Sequence, residues 1–237
     1  MLTLSIDIGG THIKASVLDA AGHMVREELK ADTPRDATRE KLVAAIRALA
    51  QQLGPYDRVS VGFPGVVRNG VIRTAHNLGT PRFAGFDLAS NLADALGAPV
   101  RVANDADVQG LGCIKGNGLE MVITLGTGFG SALFEDGRLA PHLELAHHCF
   151  CGGRTYEDEL GDEALKRVGP EVWNRSLEKA IEALRALTTF DHLYIGGGNA
   201  RLVTLELPRD ITIVSNVAGI VGGVRLWTTS KRVESAT

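Results

Sequence analysis

Two stretches of this sequence carry turns able to hold phosphate. The first is Gly9-Gly10-Thr11, set between the apolar runs at residues 2–8 and 13–18. The second is Gly126-Thr127-Gly128, set between apolar runs in 122–139. A turn rich in Gly and Thr exposes several backbone N–H groups and a hydroxyl on one concave surface. Gly lets the backbone approach an anion closely. Two such turns could grip a phosphate chain from both sides. Ordinary hairpin turns also use Gly, and that reading stays open for each turn taken alone. The second turn is not a dinucleotide fingerprint, because a strand rather than a helix follows it. No G-x-x-x-x-G-K-[ST] loop occurs anywhere in the chain.

The elements that must position these turns read as an alternation. After the first hairpin come a strand near 24–29, an amphipathic helix at 36–53 and a strand at 58–63. A helix at 88–96 follows, then a strand at 100–103 that runs into Asn104-Asp105-Ala106-Asp107. A small-residue helix over 106–115 leads to the second hairpin. Helices at 159–168 and 172–187 follow, then strands at 192–195 and 211–214, and a small-residue helix over 217–226. The pattern predicts two α/β units in tandem, residues 1–110 and 111–237. The polar tail 230–237 is expected to be frayed.

Composition narrows the class. The chain has 237 residues, 44% of them hydrophobic, and a formal net charge of −3, so a packed core is expected and a general basic field is not. Nucleic acid and membrane surfaces are therefore not expected partners. Cys113, Cys149 and Cys151 are too few, and odd in number, for a disulfide framework. With no signal-type N-terminus and no long apolar stretch, a cytoplasmic protein is expected.

DIGGT at 7–11, NDAD at 104–107, LGTGFGSA at 125–132, IGGGNA at 195–200 and VAGIVGG at 217–223 occur in that order. The set resembles the sugar-kinase, Hsp70 and actin superfamily. Within it the chain is similar to the ROK group of sugar kinases, nearest the polyphosphate glucokinases. The resemblance implies two actin-like (ribonuclease H-like) α/β domains with a ligand cleft between them. It implies a glucokinase that moves a phosphoryl group from polyphosphate or ATP to the 6-hydroxyl of glucose. Asp105 is then the general base; the residue types alone fit a helix N-cap as well. Asn77, Asn104, Glu144, His147 and Glu157 would contact the sugar. Asp7 would face the phosphates and a Mg²⁺ ion through water. Gly9, Gly10, Thr11 and Lys14 would form the first phosphate loop, and Gly126, Thr127 and Gly128 the second. Gly197, Gly198 and Asn199 match the region that holds adenosine in members that use ATP.

Some residues depart from that pattern. Ala146 stands where many members carry Gly. His147, His148, Cys149 and Cys151 invite comparison with the structural zinc site of the group, but a third Cys is missing and the spacing is too short. Structural zinc is not expected. A phosphate chain needs a basic track, for which Lys14, Arg68, Arg154, Lys166 and Arg167 are candidates. The alternatives are a kinase for another hexose, such as fructose, mannose or an N-acetylated amino sugar, and a silent sugar sensor. Members of the group are often dimers, so a homodimer is compatible with the resemblance.

Overall fold

The computed structural model describes residues 1–215 and 218–228. The chain divides into two compact units: Met1–Gly112 with the segment from 217, and Cys113–Asn216. Unit 1 opens with strands β1 (Thr3–Ile8), β2 (His12–Leu18) and β3 (Leu29–Asp32), followed by helix α1 (Arg39–Leu53). Next come β4 (Arg58–Phe63), the two-residue pair β5 (Val67–Arg68) and β6 (Val71–Ile72), and helices α2 (Thr80–Phe83) and α3 (Leu88–Leu96). Strand β7 (Val100–Asn104) runs directly into α4 (Asp105–Cys113). The main sheet has the order β3-β2-β1-β4-β7. β2 is antiparallel to both β1 and β3, whereas β1, β4 and β7 are mutually parallel.

Local chemistry sets the helix ends. Thr38 accepts the Lys41 N–H at 3.3 Å and caps α1, and Leu42, Ile46, Leu49 and Leu53 bury one stripe of it. Asp87 caps α3 through Ser90 N–H at 3.0 Å, and Gly97 closes it in the left-handed region at φ 68°. One difference from the sequence expectation lies at the third strand, placed at 24–29 by its apolar residues. Met24 makes only an isolated bridge to Leu18, and the ladder proper starts at Leu29. The Ser16 hydroxyl donates to the Arg26 carbonyl at 2.7 Å, a side-chain bond within the stretch expected to pair as strand.

Unit 2 repeats the topology. Strands β8 (Leu119–Leu125), β9 (Phe129–Glu135) and β10 (Arg138–Leu139) come first, then the hairpin β11 (Cys149–Cys151) and β12 (Arg154–Thr155). Helices α5 (Tyr156–Leu160) and α6 (Asp162–Thr188) precede β13 (His192–Gly196) and β14 (Ile211–Ile213). The sheet order is β10-β9-β8-β13-β14, with β8, β13 and β14 parallel. Gly169, at φ 76° and ψ 165°, breaks α6 just before Pro170, where the sequence places a helix boundary. Glu120 anchors the entry to this unit. It is buried, and its carboxylate accepts the N–H groups of Lys115, Gly116 and Asn117 at 2.7, 2.6 and 3.1 Å. It also accepts the Tyr194 hydroxyl at 2.8 Å. Burial, and then the Glu120 contact, push the Tyr194 phenol far above its usual range.

The last described helix, α7 (Ala218–Arg225), belongs to unit 1 rather than to the C-terminal domain expected over 111–237. The reason is a polar row in otherwise apolar strands. Ser5 and Ser60 are buried neighbours on β1 and β4. Their hydroxyls donate to the α7 carbonyls of Ile220 and Gly223 at 2.7 and 2.6 Å. A Cβ on Gly222 would overlap the Val108 carbonyl, so only a side-chain-free residue permits this approach. Residue 217 and the tail 230–237 lie outside the described residues.

Glu120→Ala should cost about 3 kcal/mol of stability, since it strips the partners from several turn amides at once. Urea unfolding measures this. A loss below about 1 kcal/mol would mean that water satisfies the turn instead.

Candidate active site

In unit 1 the candidate residues gather at the carboxyl ends of the parallel strands. Asp7 pairs with Gly62 in register across β1 and β4, and Gly62 pairs with Ala103 across β4 and β7. Asp105 opens α4 immediately after β7. Gly62 lies beside both Asp7 and Asp105. A Cβ on it would stand 3.6 Å from Asp7 Oδ1 and 3.4 and 3.7 Å from the Asp105 Cα and Cβ. Sequence reading missed Gly62, although a Gly inside an apolar strand is a signal of close approach by another group.

Burial pushes the Asp7 carboxyl above the usual carboxylate range. Lys14, its partner across β1 and β2, pulls it down, and Glu28 pushes it up. A carboxyl group held out of water is a hard oxygen donor, and the chemistry of Asp7 fits a hard cation such as Mg²⁺.

Asn104 is buried and structurally engaged. Its side-chain oxygen accepts the Ala106 and Asp107 N–H groups at 2.8 and 3.4 Å, and its amide donates to the Gly65 carbonyl at 3.1 Å. It therefore caps α4 and fixes the turn after β4. Asp105 Oδ1 also accepts the Ala106 N–H, at 2.8 Å. The first Gly-rich turn lies close by. Gly9 N–H donates to the His12 carbonyl at 2.9 Å, and the Thr33 hydroxyl donates to the Gly9 carbonyl at 2.7 Å. Gly10 and Thr11 are exposed. A Cβ on Gly10 would meet the Asn77 Cβ at 3.6 Å, so the exposed Asn77 sits beside this turn.

In unit 2 the turn 126–128 joins β8 to β9, closed by Gly126 N–H to the Gly128 carbonyl at 3.0 Å. Asn199 N–H donates to the Leu125 carbonyl at 2.9 Å, and its amide donates to the Gly126 carbonyl at 3.3 Å. Gly197 takes φ 90°, and a Cβ there would run into the Leu125 backbone. Gly198 is exposed next to it. The structure thus joins the second Gly turn to the 197–199 element. Glu157, near the start of α5, reaches the same turn: its Oε2 accepts the Phe129 N–H at 3.4 Å.

Glu144 and His147 flank a 3₁₀ turn at Leu145–His147. Leu145 and Ala146 pack into the same core as Tyr156, so the Ala146 methyl is a buried core group. His147 is exposed. His142, which sequence reading passed over, places Nε2 3.9 Å from Glu144 Oε2 with its side chain almost fully buried. Among the described residues no three His, Cys, Asp or Glu side chains form a metal-ligating group. Cys149 and Cys151 are free and exposed.

Three residues expected in a basic track lie at the surface in reach of carboxylates. Arg154 and Arg167 lie 3.2 and 3.9 Å from Glu159, and Lys166 pairs with Asp162. Lys166, and then Asn199, hold the Asp162 carboxyl below its ordinary range. Lys14 faces Asp7, and Arg68 is exposed on β5.

The chain is 30% identical over 239 residues to a polyphosphate glucokinase of Mycobacterium tuberculosis (strain ATCC 25177 / H37Ra), covering 92% of this chain and 88% of that one. An inorganic polyphosphate/ATP-glucomannokinase from Arthrobacter sp. strain KM superposes with a TM-score of 0.86 at 31% identity, over 97% of this chain and 99% of that one. A ROK family glucokinase from Streptomyces griseus shares the fold, with a TM-score of 0.77 at 22% identity over 95% and 99% of the two chains. The ROK family model matches residues 3–168, and the chain belongs to the ROK family.

Proposed function

We propose that this chain is a glucokinase, transferring a phosphoryl group from polyphosphate or ATP to the 6-hydroxyl of glucose. The observation that carries the reading is that Asp7 Oδ1 and the Cα and Cβ of Asp105 both lie within van der Waals contact of the Cβ position of Gly62. It stands in a chain similar over 92% of its length to a polyphosphate glucokinase.

In this mechanism Asp105 accepts the proton of the 6-hydroxyl as that oxygen bonds to the terminal phosphorus. The bond from phosphorus to the bridging oxygen breaks, and ADP or a shortened polyphosphate leaves with the electron pair. Asn104 keeps Asp105 in place by capping α4, and its second amide hydrogen is offered to a sugar hydroxyl. Asn77, Glu144, His147 and Glu157 supply the remaining polar contacts that a sugar requires. The amides of Gly9 and Gly126 close their own turns, so in this reading those of Gly10 and Thr11, and that of Thr127, face donor oxygens, where negative charge spreads in a loose transition state. Gly197, Gly198 and Asn199 adjoin that turn on the side assigned to adenosine. Asp7 would hold a Mg²⁺ ion, which would neutralise charge on the donor phosphates.

Because Arg154, Lys166 and Arg167 are paired with carboxylates, the reading rests donor binding on backbone amides and Lys14 rather than on a cationic stripe. Mannose is the second acceptor to consider, since the Arthrobacter relative is named a glucomannokinase. No helix among the described residues is long and apolar enough to cross a membrane.

Transfer to glucose should be assayed with ATP and polyphosphate in parallel. Asp105→Asn should lower kcat by about 10²- to 10⁴-fold, with the KM for glucose little changed. Wild-type turnover in that variant would remove Asp105 from the base role. Asp7→Asn separates stability from activity. A carboxyl whose folded value is raised penalises the fold above that value, and the penalty disappears on protonation. The variant should therefore melt higher than wild type at pH 8 while transferring phosphoryl more slowly. Its thermal advantage should shrink as pH falls into the carboxylate range. A melting temperature below wild type at pH 8 would contradict the burial argument.

A further inference from the structure

The two glycines of the second turn are glycine for different reasons. Neither adopts the left-handed region, so backbone conformation does not demand them. A Cβ on Gly126 would meet nothing within 4 Å. A Cβ on Gly128 would overlap the Glu157 carboxylate, with the carboxyl carbon itself at 3.1 Å. Gly161 closes the other side. Its own Cβ would stand 2.9 Å from the Glu157 carbonyl and 3.1 Å from the Thr127 carbonyl. Its N–H donates to the Glu157 carbonyl at 2.8 Å, and the Asp162 N–H donates to the Thr127 carbonyl at 3.2 Å.

The backbone that carries Glu157 is held from both ends. Thr155 and Asp158 form a reciprocal capping box at the start of α5. The Tyr156 ring stacks on Phe150 and Phe129, with centroids 4.6 and 5.2 Å away. One carboxylate oxygen rests on the Phe129 N–H, and the other has capacity to accept a further donor. A phosphate cannot share the Gly128 side of the turn with this carboxylate without like-charge repulsion. A hydroxyl-bearing ligand can, because it donates.

We propose that Gly128 is a positioning residue for the sugar acceptor, leaving the space in which Glu157 sets its carboxylate, and that the donor phosphates meet the turn only on its Gly126 side. This rests on the glucokinase reading. It splits a motif that local sequence treats as one phosphate loop.

The test is steady-state kinetics on the full chain with glucose and each donor varied separately. Gly128→Ala should raise the KM for glucose about tenfold or more and leave the KM for the donor within about twofold. Gly126→Ala should do the reverse. In a Glu157→Asp background, where the carboxylate is one methylene shorter, Gly128→Ala should add little further loss. A donor KM that rises in Gly128→Ala while the glucose KM holds would overturn the proposal. So would full additivity with Glu157→Asp. Thermal melting supplies a readout without turnover: the cost of Gly128→Ala should vanish in a Glu157→Ala background, and an undiminished cost would overturn the clamp itself. A wild-type chain that phosphorylates glucose from neither donor would defeat the glucokinase reading, while the melting comparison would still decide the contact between Gly128 and Glu157.

Discussion

Gly62 has no side chain, and the place that a Cβ would take lies within van der Waals contact of Asp7 Oδ1 and of the Asp105 Cα and Cβ. The site in unit 1 is built around this glycine by strand pairing. Parallel pairing of β1, β4 and β7 brings Asp7, Gly62 and Asn104-Asp105 to one edge of the sheet. The same face of β1 carries Thr3 and Ser5 before Asp7, following the two-residue period of a strand. Further down that face, α7 accepts the hydroxyls of Ser5 and Ser60. A row of polar residues is thus satisfied first by a helix and then, at Asp7, balanced between burial and the charge of Lys14.

Unit 2 has the same strand order but builds its polar edge differently. Its acidic group, Glu157, comes from a short capped helix rather than from the first strand. Asn199 and Gly161 fasten neighbouring elements onto the 126–128 turn. Duplication of the sheet therefore supplied two backbone turns without duplicating the carboxylate chemistry. Arg154, Lys166 and Arg167 of this unit lie within ion-pair reach of Glu159 and Asp162 at the surface, where such pairs contribute little to stability.

Much of this was legible in the residues. Apolar alternation, helix stripes bounded by Thr38 and Gly97, and the break at Gly169-Pro170 are local features with local causes. The five motifs placed the candidate side chains in the right order along the chain. Other features were not legible. The allegiance of α7 to unit 1 is written in Ser5 and Ser60, over 150 residues away from their acceptors. The short hairpins β5–β6 and β11–β12 are two or three residues a side, too brief for a period to show. The sequence marks Asn104 as a sugar contact, and only its bonds to Ala106 and Gly65 reveal that it is also a cap.

By itself the sequence determined the order of elements, the two Gly-rich turns and the family. These follow from side-chain periodicity and turn chemistry, which act over a few residues. Only the tertiary structure decided which glycine makes room for which carboxylate and which sheet the last helix covers. Each of these is a contact between distant parts of the chain. Its energy depends on distances that packing sets and that no local run of residues encodes.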